Sequence, residues 1–161
     1  MDLETATSVI KATGVAVDLF DKVVSQITAF MRRQPEKEVE AGEERWRHKI
    51  KEKNNELVVT QNGKQLQVIK AKDLNDLPAD CLQLIQTFEE TMQRNFRLWS
   101  AVYKKRDASP DALVNAQTDE QLTELVRKMQ RDLTGIVDFL QRLGLHLDDH
   151  YMNVRHLVEP M

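Results

Sequence analysis

Apolar residues recur every three or four positions along the N-terminal part of this chain without a break. The members of this series are Ala6, Ile10, Thr13, Val17, Phe20, Val24, Ile27 and Met31. This spacing predicts one helix over residues 1–33, roughly 45 Å long at about 1.5 Å per residue, with Pro35 as its stop. A second series at seven-residue spacing flanks the first and comprises Val9, Ala16, Val23 and Phe30. The combined face is wider than a two-stranded seam, which predicts burial against several helices or insertion into something else.

Composition is typical of a mainly helical protein with one domain over residues 1–161. Of these residues 41% are hydrophobic and 30% charged, and the chain is long enough to bury one sizeable core. Five glycines and four prolines are few for a turn-rich β architecture. The formal net charge of −3 lacks the excess of Lys and Arg that phosphate binding draws on, so nucleic acid is not expected as a partner.

The location expected from the sequence is the cytoplasm. The single cysteine, Cys81, cannot form a disulfide within the chain, which favours a reducing compartment. Lys11, Asp18 and Asp21 interrupt the N-terminal apolar run, so neither a secretory signal nor a conventional membrane span is expected there. A peripheral contact with a membrane is the alternative location.

Residues 36–54 differ in character because Glu, Lys and Arg dominate them. Their clearly apolar members, Val39, Trp46 and Ile50, are spaced by seven and four. This spacing predicts a charged helix at the surface with one narrow apolar ridge.

Residues 56–69 carry the strand signal of the chain. Asn62 and Gly63 separate two apolar runs, and this dipeptide favours a type I′ hairpin because both central residues need a positive φ. Counting outward from the turn predicts that Val59 faces Leu66 and that Leu57 faces Val68. A two-stranded hairpin is marginal alone, so it should pack on a helix or pair with another strand, including one from a partner.

Two further long helices are predicted over residues 78–106 and 118–143, with Thr118 as the N-cap of the second. Gly144 supplies a C-terminal cap, and a short helix over residues 149–158 closes the chain. The predicted fold is therefore an elongated antiparallel helical bundle of about four long helices and a short C-terminal helix. The hairpin is inserted into this bundle.

A cluster of histidines and aspartates near the C-terminus is the one candidate metal site. His146, Asp149 and His150 could share a helix face and bind a metal. Gly144 should end the preceding helix, however, which leaves His146 in the connector, while Asp148 or Asp149 suits an N-cap. Capping is the preferred interpretation, so no catalytic residue, metal or cofactor is assigned.

Basic residues near the end of the first helix and in the charged segment could contact anionic lipid or an acidic partner. These are Arg32, Arg33, Arg45, Arg47 and Lys49. Glutamates lie among the basic residues of the charged segment, and cations at the C-terminal end of a helix interact favourably with the helix dipole. A solvated face is therefore the simpler interpretation.

Three functions are compatible with these patterns, in order of preference. The first is a non-enzymatic protein interaction or self-association module. Its contacts would come from the first helix through Val9, Ala16, Val17, Phe20, Val23, Val24, Ile27 and Phe30. The second is a membrane-disrupting bundle that inserts this helix, a plan broadly similar in architecture to helical cell-death and defence effectors. The third is a metal-assisted hydrolase that uses His146, Asp149 and His150.

Overall fold

The computed structural model describes residues 1–33, 35, 37–38, 47–108 and 112–157, which are mainly helical. The elements in chain order are α1 (Leu3–Arg32), β1 (Lys49–Lys53), β2 (Glu56–Gln61), β3 (Lys64–Lys70), a 3-10 turn (Ala71–Leu74), α2 (Cys81–Ala108), α3 (Ala112–Arg142), α4 (Asp149–Met152) and a second 3-10 turn (Asn153–His156). The three strands form one antiparallel sheet in the order β1-β2-β3. The described residues thus contain three long helices where the sequence predicted about four.

Helix α1 corresponds to the helix predicted over residues 1–33. Asp2 caps its start, because the Asp2 carboxylate accepts a hydrogen bond from the Thr5 N–H at 2.7 Å. Arg33 ends it in the left-handed conformation, with φ of 54°. The helix packs against α2, α3 and the first two strands, so most of its surface is covered by the rest of the chain.

Residues 49–53 form a strand, so the charged helix predicted over residues 36–54 is wrong at its C-terminal end. Positions 39–46 of that helix lie outside the described residues. Ile50 is buried while Lys51 is exposed, as the two-residue period of a strand requires. A tight turn at Asn54 and Asn55, with φ of 52° and 63°, joins β1 to β2. The third strand that the hairpin needed therefore comes from this chain itself.

The turn at Asn62 and Gly63 forms as predicted, with φ of 51° and 78°, but the predicted pairing is wrong by one residue. Val59 pairs with Gln67 and Leu57 with Ile69. The shift arises because Leu66 is an extra residue between the partners of Val59 and Thr60, which makes a β-bulge in β3. As a result Leu57 and Ile69 are buried, whereas 46% of the Leu66 surface is exposed.

Helices α2 and α3 form an antiparallel helical hairpin. Helix α3 begins at Ala112, six residues before the predicted N-cap Thr118, which lies buried inside the helix. The long connector predicted over residues 107–117 is therefore wrong, because helix covers most of it. An apolar series at three- and four-residue steps lines the inner side of α3 and the turn after it, and all its members are buried: Leu122, Val126, Met129, Leu133, Ile136, Leu140 and Leu143.

The C-terminal helix is shorter than the predicted range 149–158, because α4 ends at Met152 and a 3-10 turn follows. Gly144 has the predicted left-handed conformation, with φ of 94°. Tyr151 and Val154 are buried against the core, while the predicted last residue, Val158, lies outside the described residues.

Candidate functional site

The stripe that the sequence assigned to an intermolecular surface lies inside the chain. Phe30 is half-buried and meets the rings of Trp99 and Tyr103 edge-on, with centroids 5.9 and 6.2 Å away. The other members are at most 5% exposed: Val9, Ala16, Val17, Phe20, Val23, Val24 and Ile27. In the folded chain these side chains are largely covered, so their assignment to an exposed contact surface is corrected.

Four of the five basic residues suggested for lipid or acidic partners lie in the described ranges, and these four do not form one patch. Arg32 and Arg33 are exposed at the end of α1, where the Arg33 guanidinium is 4.0 Å from the Asp119 carboxylate. Arg47 is turned inward and only 16% of its side chain is exposed, so it is corrected to an internal residue. Lys49 opens β1 opposite Thr60, and Arg45 lies outside the described residues.

His146, Asp149 and His150 do not converge on one point. His146 is exposed in the connector, where its N–H donates to Gln67 Oε1 at 3.0 Å. Asp149 is exposed at the start of α4, whereas the His150 side chain is only 4% exposed and faces α1. Within the described ranges no group of three or more His, Cys, Asp or Glu residues could hold a metal ion. These three residues therefore do not form a metal site.

Asp21, Arg47 and His150 form a partly buried polar cluster instead. The carboxylate of Asp21 on α1 lies 2.7 Å from Arg47 Nη2 and 3.0 Å from His150 Nε2. One oxygen contacts Arg47, two residues before β1, and the other contacts His150, the second residue of α4. Next to it, Tyr151 stacks on Phe20 with ring centroids 5.3 Å apart. Burial raises the pKa of the Tyr151 hydroxyl well above its ordinary value, so this phenol stays protonated.

The segment after α3 is held by further polar contacts to the sheet. The Asp148 carboxylate is not a side-chain cap for α4 but accepts from the His48 N–H at 2.9 Å. Gln67 donates through Nε2 to the Gly144 carbonyl at 2.7 Å. These bonds, together with the Asp21 cluster, give the histidines and aspartates of this region a role in joining elements. Sequence spacing could not show it, because the partners lie far apart in the chain.

A different feature, a second apolar series on the hairpin of α2 and α3, is exposed. Leu84 and Phe88 are four residues apart on α2, as are Leu98 and Val102, and the polar residues Thr91 and Asn95 occupy the helical steps between the two pairs. Leu98 is 53% exposed, and the other three are half-buried. Val102 and Leu125 of α3 line a shallow depression of about 1100 Å³ together with polar and charged residues of α3 such as Glu124 and Lys128. The sequence alone did not reveal this surface, because polar residues interrupt the apolar spacing between Phe88 and Leu98.

The middle of this outer face holds a polar pair. Asn95 donates through Nδ2 to the Asp132 carboxylate across the two helices at 3.4 Å. Asp132 is only 8% exposed, and this burial raises the pKa of its carboxyl group above the ordinary value of 3.8. We call the surface made by Leu84, Phe88, Leu98, Val102, Leu125 and this pair the outer hairpin face.

Comparison with protein-family models, with curated proteins and with solved structures finds no match. Among the helices of the described ranges, none is long and apolar enough to cross a membrane.

Proposed function

We propose that this protein is a non-enzymatic self-association module in which the outer hairpin face packs on the same face of a second copy. The observation that carries the proposal is the exposure of Leu98, 53%, within an apolar series on a long helix. Single exposed apolar residues are common, but a series on one side of two paired helices is typical of an interface. The proposal keeps the class favoured by the sequence and moves the contact from α1 to α2 and α3.

The size of this face suits a homodimer. Helix α2 has 28 residues and is therefore about 42 Å long at about 1.5 Å per residue. Two helices about 9 Å apart present a face about 20 Å wide, so its area is of the order of 800 Å². A typical stable interface buries about this much on each partner. Two hairpins packed face to face would form a four-helix bundle, which is a common closed arrangement.

The Asn95–Asp132 pair supports a defined arrangement of the two copies. A polar residue in an otherwise apolar seam disfavours registers that leave it without a polar partner. In a symmetric dimer the two pairs would lie near the middle of the interface, within reach of each other. Their place at the centre of the face therefore favours one register over sliding alternatives.

Insertion of α1 into a bilayer, the second function considered, meets an energetic obstacle. Ile10, Phe20 and Ile27 are fully buried, and α1 contributes a large share of the core. Burial of each such side chain is worth about 1.5 to 3 kcal/mol, while a whole domain is stable by only about 5 to 15 kcal/mol. Release of α1 would thus amount to unfolding, which favours the module over the membrane effector.

The test is the mass of the protein in solution, measured by sedimentation at increasing concentration. We expect a dimer for the natural sequence and a monomer for Leu98→Glu, because a charge in the seam cannot be buried without a partner. Val15→Glu is the matched control, since Val15 is also exposed, at 57%, but lies on α1. A monomer at every concentration, or equal loss of assembly in both variants, would contradict the proposal.

A further inference from the structure

The sheet presents a face that points away from α1. Strand residues alternate between the two faces, so Ile50, Leu57, Val59 and Ile69 are directed to the core and their neighbours are directed outward. The ladder aligns the outward residues in rows across the three strands, and two of these rows carry the features described below. One row is Lys51, Val58 and Val68, and the other is Lys53, Glu56 and Lys70.

The charge of this face is positive although the whole chain has a formal charge of −3. Lys51, Lys53 and Lys70 are exposed, and none forms an ion pair with the part of the chain that the structure describes. Glu56 is the single carboxylate in these two rows. Lys51 and Lys53 are two residues apart on β1, about 7 Å, which is within the screening length of about 8 Å at physiological salt, so their potentials add. Lys70 lies two strands away on β3, with Glu56 between it and Lys53, and extends the basic surface to the other edge of the sheet.

The centre of the same face is apolar. Val58 and Val68 are half-buried side by side, and the bulge residue Leu66 is 46% exposed on the adjoining edge strand. Cations around a short apolar strip are complementary to an acidic segment that also carries apolar side chains. The three strands contain no aromatic residue and no arginine. They thus lack the stacking platforms and the guanidinium forks that single-stranded nucleic acid sites use.

We propose that the outward face of the sheet, formed by Lys51, Lys53, Lys70, Val58, Val68 and Leu66, binds an acidic polypeptide segment of a partner protein. The carboxylates of that segment lie against the three lysines, and its apolar side chains cover the strip between them. This inference rests on the sheet alone and does not depend on self-association through α2 and α3.

The experiment measures the fluorescence anisotropy of a labelled peptide of alternating Glu and Val titrated with the full-length protein. Binding is expected to weaken by about tenfold or more when Lys51→Gln, Lys53→Gln and Lys70→Gln are combined, and to weaken with added salt. The matched control combines Lys11→Gln, Lys104→Gln and Lys105→Gln, which change the net charge equally on exposed helix positions. This control should bind as the natural sequence does.

Further measurements test the apolar contact, the need for carboxylates in the peptide, and the alternative classes of partner. Leu66→Ser should weaken peptide binding without changing its salt dependence, because it removes apolar contact only. A peptide of alternating Gln and Val should not bind. An absence of binding by the acidic peptide, an equal loss in the control variant, or tighter binding to anionic vesicles or to single-stranded RNA would each overturn the proposal.

Discussion

Gly14 of α1 lies directly against Glu52 of β1. A Cβ built on Gly14 would lie 2.7 Å from the Glu52 Cβ and 3.7 Å from the Glu52 nitrogen. A methylene group next to the backbone cannot move aside as the end of a long side chain can. The absence of a side chain at Gly14 therefore allows β1 to lie directly on α1, and it explains a glycine within a long helix.

Gly14→Ala should destabilise the protein. Alanine favours a helix by about 1 kcal/mol over glycine, but the overlap with Glu52 forces the strand outward, and overpacking costs about 1 to 3 kcal/mol. We expect a net loss in the free energy of unfolding measured with urea. Glu52→Gly provides the control background, because it removes the Cβ that the new side chain would meet, so Gly14→Ala should cost less stability there. A variant at Gly14 more stable than the natural sequence would refute the close approach.

Asp21→Ala should lower the stability markedly, because it leaves Arg47 and His150 without their shared carboxylate. We expect a loss of about 2 kcal/mol, equivalent to a fall of about 6 °C in Tm for a chain of this size. Asp18→Ala removes the same charge from an exposed position three residues earlier on α1. Thermal unfolding of the two variants side by side is the measurement. Equal Tm values would show that the cluster does not join these elements.

Asp132→Asn should stabilise the fold at neutral pH. The raised pKa of the Asp132 carboxyl means that the folded chain holds this proton more tightly than the unfolded chain does. Stability from this group is therefore present at acidic pH and is lost as the pH rises from about 4 through the raised pKa. The advantage of the variant should shrink as the pH falls through that window. Urea unfolding at several pH values tests it, and an advantage independent of pH would contradict this sign.

Cys81 should react slowly with thiol reagents in the folded state. Its side chain is fully buried, and burial raises the pKa of the thiol above the ordinary value of 9.0, so little thiolate forms at neutral pH. The rate of reaction with a disulfide reagent is the measurement, with the same protein in guanidinium as the reference. Rapid modification of the folded chain would show that the start of α2 opens readily.

Several elements could be predicted from the sequence because their signals are local. The apolar repeat in residues 1–31 predicts α1, the Asn62-Gly63 pair predicts the hairpin turn, and Gly144 predicts the end of α3. The strand at residues 49–53 was missed because its charged residues suit a surface helix equally well. Residues 49–53 form a strand because they pair with residues 56–60. The signal in the sequence that could have revealed this strand is the turn at Asn54-Asn55.

The sequence by itself determined which residues are apolar and with what period, and thus where long helices form. Tertiary structure decided what those apolar faces touch. From spacing alone, the wide apolar face of α1 could equally pack on a partner. In the structure α2 and the sheet cover it, while Leu98 of α2 is left exposed. Tertiary structure also brought Asp21, Arg47 and His150 together and shifted the hairpin by one residue at Leu66. The physical reason is that periodicity acts over a few residues, whereas burial and ion pairing depend on segments distant in the chain.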